Sequence, residues 1–167
     1  TNLHGQAFFD AAVGACLTLK RRGILLTNYP DQLPSRLPDS IAHFAYVPLD
    51  RLLRKSAAFV HHGGIGSTSQ AMLAGIPQVM MPLAHDQFDN AHRIKRLSLG
   101  DAIPVAKFTG RRLAQVLKSL FDSSAVAAAC RQTAERLAKR DGLQRSAAAI
   151  EERVTRSGRG SLTQFQE

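Results

Sequence analysis

Short apolar runs that alternate with helical segments constrain the fold of this chain more than any other feature. The clearest are GILLTN, IAHFAYVP, AAFVHH and IPQVMMP, which begin at residues 23, 41, 57 and 76, and a weaker run, DAIPV, begins at residue 101. Continuous apolar runs of this length are typical of strands that are buried on both faces. The alternation therefore predicts an α/β fold, a Rossmann-like parallel sheet with helices on both faces.

The helical segments carry their own signals. Thr109 is a predicted N-cap, and the residues after it repeat with helical spacing. The segment from residue 86 to 100 predicts a helix with one apolar side formed by Phe88, Ala91, Ile94 and Leu97.

The two ends of the chain lead to separate expectations. The sequence opens in TNLHGQ, a helix lead-in, whereas a doubly wound domain normally begins with a strand. We therefore expect that the first strand of the sheet is missing and that the chain is part of a longer protein. One domain is predicted over residues 1–156, followed by a disordered tail rich in Gly, Ser and Gln over residues 157–167.

The net charge of +9 is the unusual bulk property of this sequence. A basic chain can bind nucleic acid, an acidic membrane surface or phosphorylated ligands. No aromatic residues alternate with the basic clusters, so a single-strand nucleic-acid groove is disfavoured.

No apolar run is long enough to span a membrane, although peripheral contact with one stays open. The cysteines lie in helical patterns and predict buried thiols, which favours a cytoplasmic location.

The segment HHGGIGSTSQAMLAG, which starts at residue 61, places glycines where a strand passes into a helix. Gly63, Gly64 and Gly66 have no Cβ atoms to keep a ligand from the backbone, and the helix start offers free N–H groups. Ser67 and Thr68 could add hydroxyl donors, so a phosphate or diphosphate is the natural occupant. The alternative is that the glycines only permit a tight turn and close helix packing. The segment lacks the lysine of an ATP-type loop, which disfavours ATP hydrolysis.

Polar residues flank this segment on both sides. His62 ends a strand directly before the loop, where its ring can donate to a phosphate oxygen. Asp86 and Gln87 follow the next strand, so they should lie at the same edge of the sheet. A carboxylate beside a carboxamide can bridge the vicinal hydroxyls of a sugar. A diphosphate on one side and hydroxyl-binding groups on the other predict a nucleotide sugar as ligand.

The histidines of this region also raise a metal hypothesis. It would draw on His61, His62, His85 and His92, but adjacent strand residues point to opposite faces, so His61 and His62 cannot easily share one ion. We expect no metal ion and no other cofactor. His61 is predicted to face the packed side of the sheet or solvent.

Several spaced motifs together resemble one protein family. They are Tyr46-Val47-Pro48, His62-Gly63-Gly64-x-Gly66-Ser67, Gly75-Ile76-Pro77, Pro82 and Asp86-Gln87. This set is similar to the donor-binding signature of UDP-glycosyltransferases, two-domain enzymes of the GT-B fold, and most of all to their bacterial and sterol-type branch. The resemblance covers about residues 41–90.

The resemblance implies a role for each matching position. Tyr46 would stack on the base, the Val47 backbone would bind its edge, and Gln70 stands where the family often has a glutamate that binds the ribose. The sugar hydroxyls would be held by Asp86 and Gln87. The diphosphate would be bound by His62, Gly63, Gly64, Gly66, Ser67 and Thr68.

The activity implied by the resemblance is that of the donor-binding half of an inverting glycosyltransferase. Such an enzyme transfers a hexose from a UDP-sugar, or a dTDP-sugar, to a hydroxyl of a small or lipid-like acceptor. The general base would lie in a missing N-terminal acceptor domain, so we expect the chain alone to bind UDP without turnover. Two alternatives stay open, a domain of a sugar-nucleotide epimerase and a basic nucleic-acid-binding module.

Overall fold

A computed structural model describes residues 5–139 and 142–160, which belong to two compact units, Thr1–Glu135 and Arg136–Glu167. The strands are β1 Gly23–Leu26, β2 Ile41–Phe44, β3 Phe59–His61, β4 Gln78–Met80 and β5 Gly100–Ala102. The α-helices are α1 Gly5–Leu19, α2 Leu49–Leu53, α3 Ile65–Ala74, α4 Gln87–Arg96, α5 Gly110–Asp122, α6 Ser124–Ala138 and α7 Gly142–Gly160. The predicted alternation of strands and helices is confirmed.

Every strand pair is parallel, but the described strands form two sheets rather than one. β1 pairs with β2, and β4 pairs with β3 on one side and β5 on the other. In the second sheet His61 lies opposite Met80, which lies opposite Ala102. The parallel α/β class is therefore confirmed, whereas one continuous sheet is not, because no ladder of hydrogen bonds joins β1 to β3 in the described chain. The expected strand before residue 1 stays a prediction.

The main core lies between α1, α5 and the second sheet. Its buried members come from both helices and from the strands and their ends, namely Ala11, Ala15, Val79, Met81, Ile103, Leu113 and Leu117. Gly14 and Gly110 let the helices approach closely, since a Cβ atom on Gly110 would lie 3.1 Å from the Cα atom of Gly14. The predicted cap is also confirmed, because the Thr109 hydroxyl oxygen accepts the Arg112 N–H at 3.3 Å.

The buried face of α4 differs from the predicted one. Ala91 and Ile94 are buried as expected, but the other buried residues of the helix are Gln87 and Asn90. The apolar side chains predicted on this face but exposed are Phe88, at 58%, and Leu97, at 47%. Periodicity counts only apolar residues, whereas this helix buries two amides that have hydrogen-bond partners in nearby loops.

The C-terminal helix lies in the second unit. α7 continues to Gly160, so residues 157–160 of the predicted tail are helical, while residues 161–167 lie outside the described residues. Within the described ranges, no helix combines the length and the apolar character that a membrane crossing requires.

Candidate functional site

Two loops meet at the carboxyl ends of β3 and β4. The glycine loop, residues 62–66, follows β3, and residues 81–86 lead from β4 into α4. The Gly63 carbonyl accepts a hydrogen bond from Nδ2 of Asn90 at 2.9 Å. A Cβ atom on Gly63 would lie 3.4 Å from the Gln87 carbonyl oxygen. The structure thus brings together the two polar segments that the sequence places on neighbouring strands.

Gly63 has a backbone conformation that requires glycine. Its φ angle is +95°, a left-handed value that other residues rarely adopt. A Cβ atom there would also lie 3.2 Å from the sulfur of Met80, which is fully buried. The chain can therefore turn from β3 into α3 over a short distance without a side chain in the way.

The N-terminus of α3 is open above the glycine loop. Gly64 is the N-cap residue, and its carbonyl accepts the first helical hydrogen bond from the Thr68 N–H at 3.0 Å. The N–H groups of the first turn therefore lack helical partners and carry the positive end of the helix dipole. Around Gly66 a Cβ atom would meet no heavy atom within 4 Å. This geometry suits an anion.

His62 lies beside the same helix end. It is exposed, and its Nε2 atom would be 2.7 Å from a Cβ atom on Gly64. The ring therefore covers the space over Gly64 that a side chain would otherwise fill. An N–H group of this ring and the N–H groups of α3 can therefore donate hydrogen bonds to the same anion.

The hydroxyl of Thr68 has a partner in the loop itself. Thr68 is 3% exposed, and its Oγ1 atom donates to the Gly64 carbonyl at 2.9 Å and more weakly to the Gly63 carbonyl at 3.4 Å. It therefore holds the loop backbone. Ser67, which is half-buried, lies in the first turn of α3.

The predicted sugar-binding pair lies at the start of α4. Asp86 is exposed, and its Oδ2 atom accepts a hydrogen bond from Nδ2 of Asn90 at 2.8 Å. The side-chain oxygen of Gln87 accepts the N–H groups of Leu83 and Ala84 at 2.8 and 3.2 Å, which holds the turn before the helix. The oxygen of Gln87 and Oδ2 of Asp86 are thus bonded within the protein, and Gln87 is only 8% exposed, so the roles of both residues in sugar binding stay predictions.

The predicted nucleoside-binding residues lie on separate elements. Tyr46 and Val47 follow β2, which belongs to the other sheet, and the Tyr46 side chain is 79% exposed. Gln70 is half-buried on α3, against which α2 packs. Within the described residues no hydrogen bond is seen between these side chains and the glycine loop, and their roles stay predictions.

His61 belongs to a buried hydrogen-bond network under the loop. It is 5% exposed, so of the two predicted orientations, the packed side of the sheet or solvent, it has the first. Its Nε2 atom lies 2.9 Å from Oε1 of Gln78, and its Nδ1 atom accepts the Gly63 N–H at 3.1 Å. The Gln78 amide in turn donates to the Thr68 carbonyl at 3.4 Å. Both ring nitrogens are engaged, so His61 is not available as a metal ligand.

Burial is the main reason that the pKa of His61 is lowered to about 4, while the hydrogen bond to Gln78 raises it and the nearby His62 lowers it. Because the folded pKa lies below the ordinary value near 6.5, protonation opposes folding. The stabilising contribution of neutral His61 is complete above about pH 6.5 and is lost as the pH falls towards 4.

His61→Asn should therefore remove part of the acid sensitivity of the fold. Between pH 7.5 and 5.0 the wild type is expected to lose about 2 kcal/mol more unfolding free energy than the variant. Urea unfolding at both pH values measures the difference, and His92→Asn, a change at an exposed histidine of α4, is the control. Equal losses in wild type and His61→Asn would contradict the prediction.

Sequence reasoning missed Gln78 and Asn90 as parts of this site. Gln78 is the polar residue inside the apolar run IPQVMMP, and Asn90 lies one helical turn after Asp86. A polar side chain in a buried strand needs a hydrogen-bond partner, so the position of Gln78 indicated that such a partner exists. Its partner, however, lies 17 residues away.

Solved structures share this architecture. The glycosyltransferase VinC, solved in complex with dTDP, superposes with a TM-score of 0.78 at 26% identity over 90% of this chain and 37% of that one. The parallel strands, the covering helices and the loop at their carboxyl ends define the C-terminal half of a GT-B glycosyltransferase.

The particular family follows from the sequence match. Residues 23–151 match the family described as erythromycin biosynthesis protein CIII-like, C-terminal domain, and the chain belongs to this family. Its curated relatives include a 3-alpha-mycarosylerythronolide B desosaminyl transferase of Saccharopolyspora erythraea, 36% identical over 74% of this chain and 30% of the relative. Another is an aklavinone 7-beta-L-rhodosaminyltransferase of Streptomyces galilaeus, 40% identical over 75% of this chain and 27% of the relative. The chain thus spans less than a third of the length of these relatives.

Proposed function

We propose that this chain is the part of a glycosyltransferase that binds a nucleoside diphosphate sugar, with the diphosphate on the glycine loop. The observation that carries the proposal is the open N-terminus of α3, reached through a left-handed Gly63 and flanked by the exposed His62. Such a terminus binds phosphate oxygens through backbone N–H groups without a metal ion. Asp86 is exposed and is linked to the loop through Asn90, so a sugar attached to the diphosphate would extend towards Asp86 and the adjacent Gln87, which is 8% exposed.

The same groups would act on the leaving group of the reaction. As the bond between the sugar and the diphosphate breaks, negative charge develops on the diphosphate oxygens. The N–H groups of α3 and the His62 ring are in place to stabilise that charge, and a fixed donor contributes most where charge develops. Attack by an acceptor hydroxyl on the opposite face would invert the sugar carbon. We place the base that activates this hydroxyl in another domain of the enzyme, so the chain alone should bind the donor without transferring the sugar.

The nucleotide is proposed to be UDP or dTDP. The solved structure of VinC contains dTDP, and the motifs of this chain resemble those of enzymes that use UDP-sugars. Tyr46 offers an exposed ring for stacking on either pyrimidine, and Gln70, without charge, could hydrogen-bond the sugar of either nucleoside.

Calorimetric titration with UDP and dTDP tests the proposal. The wild type should bind at least one of them, and His62→Ala should weaken that binding about 10- to 100-fold, because a charge-assisted hydrogen bond to a phosphate oxygen is lost. His92→Ala, at an exposed histidine of α4, is the control and should bind as the wild type does.

A nucleic-acid-binding function would give the opposite pattern when DNA or RNA is titrated beside the two nucleotides. The net charge of +9 is the observation in its favour. Steeply salt-dependent binding of DNA or RNA, with no binding of UDP or dTDP, would overturn the proposed function. Binding of both nucleotides with no effect of His62→Ala would overturn the role of His62.

A further inference from the structure

Both polar backbone groups of Gly63 are held by buried side chains. Its N–H donates to Nδ1 of His61 at 3.1 Å, and its carbonyl accepts from Nδ2 of Asn90 at 2.9 Å. His61 and Asn90 lie on different elements, β3 and α4, and are 5% and 9% exposed. The left-handed glycine is thus held by hydrogen bonds on both of its polar groups. The left-handed conformation by itself does not require these two bonds.

The hydrogen bond between Asn90 and the Gly63 carbonyl sets the direction of the Gly64 N–H group. The peptide bond between Gly63 and Gly64 is trans, so the Gly63 carbonyl and the Gly64 N–H point in opposite directions. Because the carbonyl is directed at the buried Asn90, the Gly64 N–H is directed away from it, towards the open side of the loop. No acceptor for this N–H is seen among the described residues.

The side chains of Asn90 and His61 are themselves held by further hydrogen bonds. The second hydrogen of Asn90 Nδ2 bonds the Asp86 carboxylate at 2.8 Å. His61 accepts at Nδ1 and therefore carries its proton on Nε2, which faces Oε1 of Gln78 at 2.9 Å. A second proton on the ring would set two donors, Nδ1–H and the Gly63 N–H, against each other. The network thus fixes one tautomer and one orientation of the loop.

We propose that Asn90 and His61 are positioning residues that hold the 63–64 peptide plane so that the Gly64 N–H donates to the diphosphate of the bound nucleotide. The inference rests on the proposed function of the glycine loop. Neither side chain needs to touch the ligand, because each acts through the backbone of Gly63. Thr68, which also donates weakly to the Gly63 carbonyl at 3.4 Å, provides partial support when Asn90 is absent.

Amide NMR spectra and calorimetry of the whole chain test this proposal. In the wild type, UDP should move the Gly64 amide proton downfield, whereas uridine, which has no phosphate, should not. Asn90→Ala should weaken UDP binding about 10-fold and reduce this shift, since one charge-assisted hydrogen bond is misdirected. Uridine binding should stay unchanged, which a general loss of structure would not allow. Arg93→Gln is the control on α4, since Arg93 is exposed and pairs with Asp89.

A matched pair at His61 gives a second test. The side-chain oxygen of asparagine reaches about the position of Nδ1, so His61→Asn keeps an acceptor for the Gly63 N–H and should keep most of the UDP affinity. His61→Leu removes that acceptor and should weaken UDP binding about 10-fold. Of the two variants only asparagine offers an acceptor to the Gly63 N–H, so rescue by asparagine supports this contact.

The outcomes separate the two proposals. A wild type that binds neither UDP nor dTDP would overturn the proposed function, and this inference with it. A wild type that binds UDP with no movement of the Gly64 amide would overturn the inference alone, even if the variants failed to fold. Equal affinities for UDP in wild type, Asn90→Ala and His61→Leu would overturn it as well.

Discussion

Replacing Gly64 by valine is expected to abolish measurable binding of UDP and dTDP while leaving the fold intact. A Cβ atom at this position would lie 2.7 Å from Nε2 of His62, and the two methyl groups would fill the space above the first turn of α3. A phosphate could then reach neither the N–H groups nor the ring. We expect affinity to fall about 100-fold or more, since the close backbone approach that glycine permits is lost.

The fold should tolerate this change for two reasons. The Gly64 angles, φ −63° and ψ 146°, are accessible to any residue, so valine adds little backbone strain. The atom that it would meet belongs to the end of an exposed side chain, which can rotate away. Calorimetry measures the affinity and thermal unfolding measures the stability, with Ala127→Val on the exposed side of α6 as the control. Unchanged nucleotide affinity in Gly64→Val would place the diphosphate elsewhere.

Gly100→Ala is expected to have the largest effect on stability, about 3–5 kcal/mol in the free energy of unfolding. Gly100 lies opposite Gln78 in the parallel pair of β5 and β4. A Cβ atom there would lie 1.9 Å from the Gln78 carbonyl oxygen and 2.9 Å from its carbon. Both are backbone atoms of the middle strand, which is bonded on both sides, so neither can move without disturbing the sheet.

Urea unfolding checks this expectation, and Gly66→Ala is the matched control. A Cβ atom on Gly66 meets nothing within 4 Å, and the residue is helical, so alanine there should be neutral or stabilise by up to about 1 kcal/mol. A Gly100→Ala protein as stable as the wild type would show that β5 can shift from β4 at little cost. Because Gln78 is the partner of His61, the variant should also loosen the glycine loop.

Much of the fold could be predicted from local signals. The apolar runs located β1 to β5, Thr109 located the start of α5, and Gly75, at φ +71°, ends α3 as a left-handed cap. These features depend on residues within one or two turns of each other, so they can be read from a short stretch of sequence. The predicted apolar face of α4 was right for Ala91 and Ile94 but wrong for Phe88 and Leu97, because the helix instead buries Asn90 and Gln87, whose partners lie in loops.

The candidate site was predictable in its position but not in its internal contacts. The glycines with His62 before them, and Asp86-Gln87 after the next strand, indicated which edge of the sheet would carry polar groups. The structure then shows that the Gln87 oxygen and the Thr68 hydroxyl hold backbone groups of the protein itself. The type of a residue determines which hydrogen bonds its side chain can donate or accept. It does not determine which group becomes the partner in the folded protein.

By itself, the sequence determined the class of fold, the presence of a bare loop at the start of a helix and the polar residues at one edge of a sheet, because each of these is encoded in neighbouring residues. Only the tertiary structure decided how that loop is oriented. The bonds that hold it join His61 to Gln78 and Gly63 to Asn90, pairs separated by 17 and 27 residues. Such contacts form only when β3, β4 and α4 pack together, so the direction of the Gly64 N–H is a property of the assembled fold.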